Sequence, residues 1–144
     1  MKLKIFMVAA TIALIVLVVV VSFTSENGEN IDDITFEPGV VNIYYFWQEG
    51  CPHCDAQFSF FESIEAEFGA YFNVYSFEVA SNPENARLLY EVSTLLNITV
   101  SGVPFTIIGD QTFTGFNNRM EDDFISAITD TQNQEFDVFR DLME

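Results

Sequence analysis

The chain has 144 residues and a formal net charge of −17, from 22 acidic residues against five lysines and arginines. Both lysines lie before residue 5 and every acidic residue lies after residue 25, so the chain beyond its N-terminus repels nucleic acid and anionic lipid headgroups, and we predict no nucleic-acid partner. Residues 24–144 suffice for one domain with a single core and are too few for two.

Residues 5–23 are apolar apart from Thr11 and Ser22, and as a helix they would span about 28 Å, close to the thickness of a bilayer's hydrocarbon core. Lysines precede this segment and acidic residues follow it, so the positive-inside rule puts the N-terminus in the cytoplasm. A cleaved signal peptide is the alternative, and Val20-x-Ser22 is a passable cleavage site, but its apolar core would be shorter. We therefore expect residues 1–23 to be the uncleaved anchor of a single-pass cell-membrane protein whose domain is extracytoplasmic. Residues 24–35 are predicted to be an acidic linker, and residues 36–144 the domain.

Both cysteines lie in Cys51-Pro52-His53-Cys54, just after residues 40–47, whose β-branched and aromatic side chains predict a buried strand. Proline at the first helical position forfeits no available hydrogen bond, so Pro52 predicts that a helix begins here with both sulfurs within one turn. Unpaired N–H groups at that helix end favour a thiolate on Cys51, and His53 as a donor adds to this. The placement is typical of thiol–disulfide exchange.

The same geometry predicts a role for each thiol. We predict that Cys51 ionises below the pKa of about 8.5 of a free cysteine, although the carboxylates of Glu49 and Asp55 oppose this. Cys51, at the helix tip, would be the attacking or attacked sulfur, and Cys54 would resolve the mixed disulfide. A static disulfide and half of a zinc site are the alternatives, but zinc generally takes four ligands and the chain offers only these two cysteines and His53. We expect no metal and no cofactor.

Apolar periodicity predicts the next three elements. Residues 52–70 have the spacing of a helix whose inward face carries Phe58, Phe61, Ile64 and Phe68. Residues 72–79 have too many apolar members for a half-exposed strand, which indicates an interior one. Asn82-Pro83-Glu84 predicts a capped helix to about residue 97, with an inward face of Leu88, Leu89, Val92, Leu95 and Leu96.

The C-terminal part predicts a hairpin followed by a helix. Residues 105–108 and 111–114 are short strands joined by a turn at Gly109-Asp110, and residues 117–129 form a helix that buries Met120, Phe124, Ile125 and Ile128. A tail of residues 132–144 has apolar residues at helical spacing that we expect to pack on the core: Phe136, Phe139 and Met143. The order predicts an α/β domain in which a βαβ unit and a ββα unit share a mixed sheet flanked by helices.

The tetrad at a helix start after a buried strand, together with Gly102-Val103-Pro104 before the terminal hairpin, resembles the thioredoxin superfamily over residues 36–130. Within that superfamily the tetrad is similar to the DsbA-type disulfide oxidases. The resemblance implies a thioredoxin fold with Cys51 as nucleophile and Cys54 as resolving thiol. It also implies that Pro104 is a cis-proline facing the disulfide and that Val103 offers its backbone to an extended substrate. Trp47 resembles the aromatic residue that flanks thioredoxin active sites.

Two features depart from that pattern. Tyr45 stands where thioredoxins place a buried aspartate, so the usual proton acceptor for the buried thiol is missing or supplied elsewhere. The stretch between Val79 and Gly102 has room for one helix and not for the large helical insertion of DsbA. The body therefore resembles a minimal membrane-tethered thioredoxin-like protein with an oxidase-like tetrad.

These observations predict a membrane-anchored thiol–disulfide oxidoreductase that acts on cysteines of secreted or membrane proteins, tilted towards disulfide formation by the histidine of the tetrad. It would need a membrane partner to recycle its thiols. The alternatives are a reductase of the same compartment, a non-catalytic copper(I) chaperone or assembly factor using Cys51, His53 and Cys54 as soft ligands, and a subunit whose fold merely holds peptides.

Overall fold

The computed structural model describes residues 31–134 and 136–143 of the chain. The predicted anchor, residues 1–23, and most of the predicted linker lie outside the described residues. Among the residues that are described, no helix combines the length and the apolar character needed to cross a membrane.

A four-stranded mixed sheet forms the centre of the domain. Its strands are β1 (Val41–Trp47), β2 (Phe72–Glu78), β3 (Phe105–Ile108) and β4 (Gln111–Thr114). They lie in the order β2-β1-β3-β4, with β1 parallel to β2 and the other two pairs antiparallel. The predicted mixed sheet and the predicted hairpin of β3 and β4 are thereby confirmed.

The helices begin where local capping chemistry predicts. They are α1 (Pro52–Phe68), α2 (Pro83–Leu95), α3 (Glu121–Thr131) and α4 (Val138–Met143). The side chain of Asn82 accepts hydrogen bonds from the first free N–H groups of α2. Asn117 does the same for a short 3-10 turn, Asn118–Met120, so the helix predicted from residue 117 starts with that turn and becomes α-helical at Glu121.

Alternation along β1 divides the core into two layers, because successive strand side chains point to opposite faces. Ile43 and Tyr45 belong to the cluster formed with α1 and α3, whereas Tyr44 and Phe46 belong to the cluster formed with α2 and α4. The sheet is therefore covered on both faces, and the tetrad follows the end of β1, a central strand whose first six residues are buried.

The prediction that residues 72–79 form an interior strand is wrong, since β2 lies at the edge of the sheet beside β1. Helices cover both faces of this sheet, so an edge strand can bury side chains on both. Phe72 contributes to the cluster with α1, while Tyr75 and Phe77 contribute to the other. Apolar side chains on both faces of a strand thus indicate that other layers cover the strand from above and below. They do not indicate whether the strand lies at the centre or at the edge of the sheet.

One residue of α1 and one of α2 that are predicted to face inward are exposed. Phe58 is 41% exposed and Leu95 is 49% exposed. In α1 the buried positions are Cys54, Gln57, Phe60, Phe61 and Ile64. Phe58 follows Gln57 by about 100° of helical rotation and so leaves that face.

Both ends of the described chain pack on the domain. The predicted core packing of the tail is confirmed by Val138 and Phe139, which are fully buried, while Phe136 stays exposed. At the other end Ile34 is buried, and the backbone N–H of Thr35 donates to the phenol oxygen of Tyr75. The packed domain thus includes the end of the segment predicted as linker and starts before residue 36.

Candidate functional site

Cys51 and Cys54 are joined in a disulfide whose Cα atoms lie 5.2 Å apart. Cys51 stands between the end of β1 and the first residue of α1. The preceding Gly50 has a φ of +72°, a left-handed conformation that glycine adopts without the strain of a Cβ atom. This turn brings the disulfide to the end of the sheet.

The sulfur of Cys51 caps helix α1. The backbone N–H of Cys54 points at Cys51 Sγ, with a nitrogen–sulfur distance of 3.2 Å, and also at the Cys51 carbonyl oxygen at 3.0 Å. Donors at a helix N-terminus stabilise negative charge on the atom that they face. When the disulfide is reduced, this arrangement favours a thiolate at Cys51, as the sequence predicts.

The two sulfurs differ in access. Cys51 is 8% exposed, and Cys54 is 1% exposed and packs among the side chains of the core. An incoming thiolate can therefore reach Cys51 far more readily than Cys54. The geometry is compatible with Cys51 as the exchanging sulfur and Cys54 as the resolving one.

The loop before β3 lies against the disulfide. The peptide bond between Val103 and Pro104 is cis, and the Val103 carbonyl oxygen lies 3.9 Å from Cys51 Sγ. The backbone N–H of Gly115 donates to the Pro104 carbonyl oxygen, which ties this loop to the end of β4. The structure thus brings the carbonyl of Val103, which is distant from the tetrad in sequence and precedes the cis bond to Pro104, next to the sulfur of Cys51.

His53 and Pro52 are both exposed in the first turn of α1. The Nδ1 atom of His53 lies 3.0 Å from the Phe116 carbonyl oxygen. Because a carbonyl only accepts, Nδ1 is the donor in this hydrogen bond. The sequence does not indicate Phe116 as a partner, because it follows β4 and meets the tetrad only in the folded chain.

Tyr45 of β1 contacts the backbone of the tetrad. Its phenol is buried and donates a hydrogen bond of 2.8 Å to the Cys54 carbonyl oxygen. Burial, helped by the negative charge of Asp55, raises the pKa of Tyr45, so the phenol stays protonated. Strand alternation predicts that Tyr45 and Trp47 share one face of β1, but it does not indicate which helix covers that face or which atom the phenol meets.

Trp47 lies beside the buried sulfur. It is half-buried and packs against the cluster that contains both cysteines, with no partner for its indole N–H among the described residues. With Cys54 it lines a cavity of about 260 Å³, whose other walls are Tyr45, Asp55, Phe58, Ser59 and Ser76. Trp47 and Cys54 therefore border the same cavity.

A fully buried polar pair ties α1 to β3 behind the site. Gln57 Nε2 donates to Thr106 Oγ1 at 2.6 Å, and both residues are inaccessible to solvent. Sequence reasoning missed Gln57, and the only signal was a polar residue three positions after Cys54 on the inward face. The pair connects the helix of the tetrad to the strand that follows Pro104.

Within residues 31–134 and 136–143, no group of three or more histidine, cysteine, aspartate or glutamate side chains is placed to hold a metal ion.

Solved structures show what this arrangement is similar to. A protein described as thiol:disulfide interchange protein DsbE from Chlorobium tepidum superposes with a TM-score of 0.50 at 15% identity, covering 67% of this chain and 82% of its own. A thioredoxin-like protein from Clostridium perfringens superposes with a TM-score of 0.50 at 17% identity, covering 75% of this chain and 81% of its own. No family model and no curated protein matches the chain. The chain therefore has a thioredoxin-like fold with a Cys-x-x-Cys disulfide at the start of its first long helix.

Proposed function

We propose that this protein is a membrane-anchored, extracytoplasmic thiol–disulfide oxidoreductase that forms disulfides in secreted or membrane proteins. The observation that carries the proposal is the contact of the Cys54 N–H with Cys51 Sγ, which puts the accessible sulfur at the positive end of α1. A sulfur so placed is activated as a thiolate and is a good leaving group when attacked.

The proposed reaction consists of two exchanges. A substrate thiolate attacks Cys51 Sγ, the bond between Cys51 and Cys54 breaks, and Cys54 takes the electron pair as a thiolate. A second substrate thiolate then attacks the substrate sulfur of the mixed disulfide and releases Cys51 as a thiolate. The substrate leaves with a new disulfide, and the protein holds two electrons as a dithiol.

The direction towards oxidation is supported by the stability of the reduced pair. A helix-stabilised thiolate lowers the free energy of the dithiol, and a disulfide closing so short a loop gains little from chain entropy. Both effects make the disulfide a better oxidant. The dithiol would be reoxidised by a membrane partner that passes electrons onwards, such as a quinone-linked oxidase.

The proposed location depends on the N-terminal sequence. Residues 5–23 are apolar and follow two lysines, which favours an anchor with the domain outside the cytoplasm. Disulfides persist outside the cytosol because no thiol pool holds cysteines reduced there. The acidic surface would keep the domain off anionic headgroups while the anchor holds it near the membrane.

The decisive measurement is the reduction potential of the pair Cys51 and Cys54 in the full chain, by equilibration with glutathione buffers. Thioredoxin has a potential of about −270 mV and DsbA of about −120 mV, so a value near the second supports an oxidase and a value near the first a reductase. The oxidised protein should also form disulfides in a reduced, unfolded substrate. Cys51→Ser should abolish this reaction, and Cys54→Ser should trap mixed disulfides. Stoichiometric copper(I) binding without thiol oxidation would contradict the proposal.

A further inference from the structure

Because Cys54 is buried, its thiol needs a group that can accept its proton. As a thiol it must lose its proton before it can attack a mixed disulfide at Cys51, because the thiolate is the nucleophile. Cys54 is 1% exposed, and a thiol buried among apolar side chains ionises less readily than one in water. A group that accepts this proton must therefore communicate with Cys54.

The cavity that Cys54 lines provides such a route. Its volume of about 260 Å³ far exceeds the roughly 10–15 Å³ that one water molecule requires. Besides Cys54, its titratable lining residues are Tyr45 from β1 and Asp55 from α1, while β2 contributes the hydroxyl of Ser76. Among the described residues that line the cavity, Tyr45 and Asp55 are thus the two whose side chains are candidates to take the proton.

Tyr45 cannot be the acceptor. Its phenol hydrogen is donated to the Cys54 carbonyl oxygen, and its raised pKa keeps it protonated. Asp55 lines the same cavity as Tyr45 and Cys54. Asp55 is itself exposed, so it can exchange protons with solvent.

The titratable residues Glu49, His53 and Glu78, which are also near the tetrad, do not line this cavity. Glu78 pairs with Trp47 in the sheet, but its carboxylate accepts hydrogen bonds from the backbone N–H groups of residues 80–82. His53 binds the Phe116 carbonyl, and neither His53 nor Glu49 lines the cavity. Asp55 is the remaining acceptor.

We propose that Asp55, acting through water in the cavity between Tyr45 and Trp47, takes the proton of Cys54 during resolution and returns it in the reverse step, an inference that rests on the proposed function. As the proton leaves, the Cys54 thiolate attacks Cys51 Sγ of the mixed disulfide. The Cys51–Cys54 bond forms, the bond from Cys51 to the bound thiol breaks, and that thiol departs with the electron pair. In the direction of substrate oxidation Cys54 is the leaving sulfur and recovers its proton from Asp55.

The experiment follows the reduced full chain after mixing with one equivalent of dithiobis(nitrobenzoate). The first release of coloured nitrothiobenzoate reports the attack by Cys51, and the second reports the attack by Cys54 on the mixed disulfide. General-base catalysis is worth about 10²–10⁴-fold, so Asp55→Asn should slow the second release by at least about tenfold at neutral pH. The first release should not slow, because the charge of Asp55 opposes ionisation of Cys51 and does not assist it. Asp55→Glu should restore much of the second release. Glu62→Gln is the matched control, because Glu62 is an exposed acidic residue of the same helix that does not line the cavity, and it should affect neither release.

The pH profile separates proton transfer from other roles. The defect of Asp55→Asn should shrink as the pH rises, because hydroxide can then take the proton directly. A second release that is unchanged or faster would overturn the proposal, since a carboxylate acting only by its charge hinders ionisation of Cys54 and its removal would help. A defect that is equal at every pH, or that slows both releases alike, would also overturn it. If the wild-type first release is no faster than that of glutathione, the proposed function itself fails, whatever Asp55 does.

Discussion

The phenol of Tyr45 donates a hydrogen bond of 2.8 Å to the carbonyl oxygen of Cys54. Through this contact a side chain of the central strand fixes the first turn of the helix that carries the disulfide. The contact also accounts for the presence of tyrosine here, because a neutral phenol can be buried under the helix as long as its hydrogen has an acceptor.

We expect Tyr45→Phe to lower the free energy of unfolding by about 0.5–1.5 kcal/mol, the usual contribution of one hydrogen bond. Urea unfolding of the oxidised full chain, followed by the fluorescence of its single tryptophan, would measure the change. Tyr90→Phe is the matched control, because Tyr90 is 71% exposed and should change stability by less than about 0.5 kcal/mol. Equal effects of the two substitutions would contradict the assigned role of the Tyr45 hydroxyl.

The position of Cys51 as the cap of α1 predicts how readily its thiol ionises. In the Cys54→Ser variant we expect the Cys51 thiol to have a pKa below about 8.5, because the donors at the start of α1 stabilise the thiolate. Thiolate absorbance and the rate of iodoacetamide alkylation against pH would give this value. The same variant in urea should return to the ordinary value, and a midpoint that is the same in the folded and unfolded states would rule out the effect of the helix.

The buried pair Gln57 and Thr106 should behave as a coupled unit. Thr106→Val leaves a fully buried amide without its acceptor and should destabilise the protein by about 1–3 kcal/mol. Gln57→Leu leaves the hydroxyl unpaired and should cost a similar amount. In a double-mutant cycle measured by urea unfolding, the double variant should lose less stability than the two single losses added together, by about 1 kcal/mol or more. Strict additivity would show that the two side chains do not depend on each other.

We expect the protein to lose stability in alkali because of the environment of Tyr44. Its hydroxyl donates to both carboxylate oxygens of Asp137, at 2.7 and 2.8 Å, and burial together with the Asp137 charge raises the pKa of Tyr44 above its ordinary value of 10.0. The folded protein therefore keeps a proton that the unfolded chain releases. The contribution of the protonated Tyr44 to the free energy of unfolding is complete below about pH 10. Above that pH the contribution falls by up to about 1.4 kcal/mol for each pH unit.

Urea unfolding of the full chain between about pH 9 and pH 11 would test this expectation. Tyr44→Phe should flatten the decline, although some remains because the pKa of Tyr45 is also raised. A variant that loses stability with pH as steeply as the wild type would exclude Tyr44 as the cause.

The amino-acid sequence alone determines the local parts of this protein. Proline after Cys51 and after Asn82 marks helix starts, Gly109-Asp110 marks a turn, and alternation or helical spacing marks the elements between them. These signals act within a few residues, since they depend on backbone geometry and hydrogen bonds to near neighbours. For that reason the element order and the position of the disulfide at a helix start follow from the sequence.

The tertiary structure decides which distant groups meet. Val103 and Phe116 reach the tetrad, and Tyr45 reaches the Cys54 carbonyl, only when the helices close over the sheet. Periodicity could not reveal that β2 lies at an edge, because layers on both faces bury an edge strand as they would a central one. Contacts between residues far apart in the chain depend on how whole elements pack, and that information is spread over the entire core.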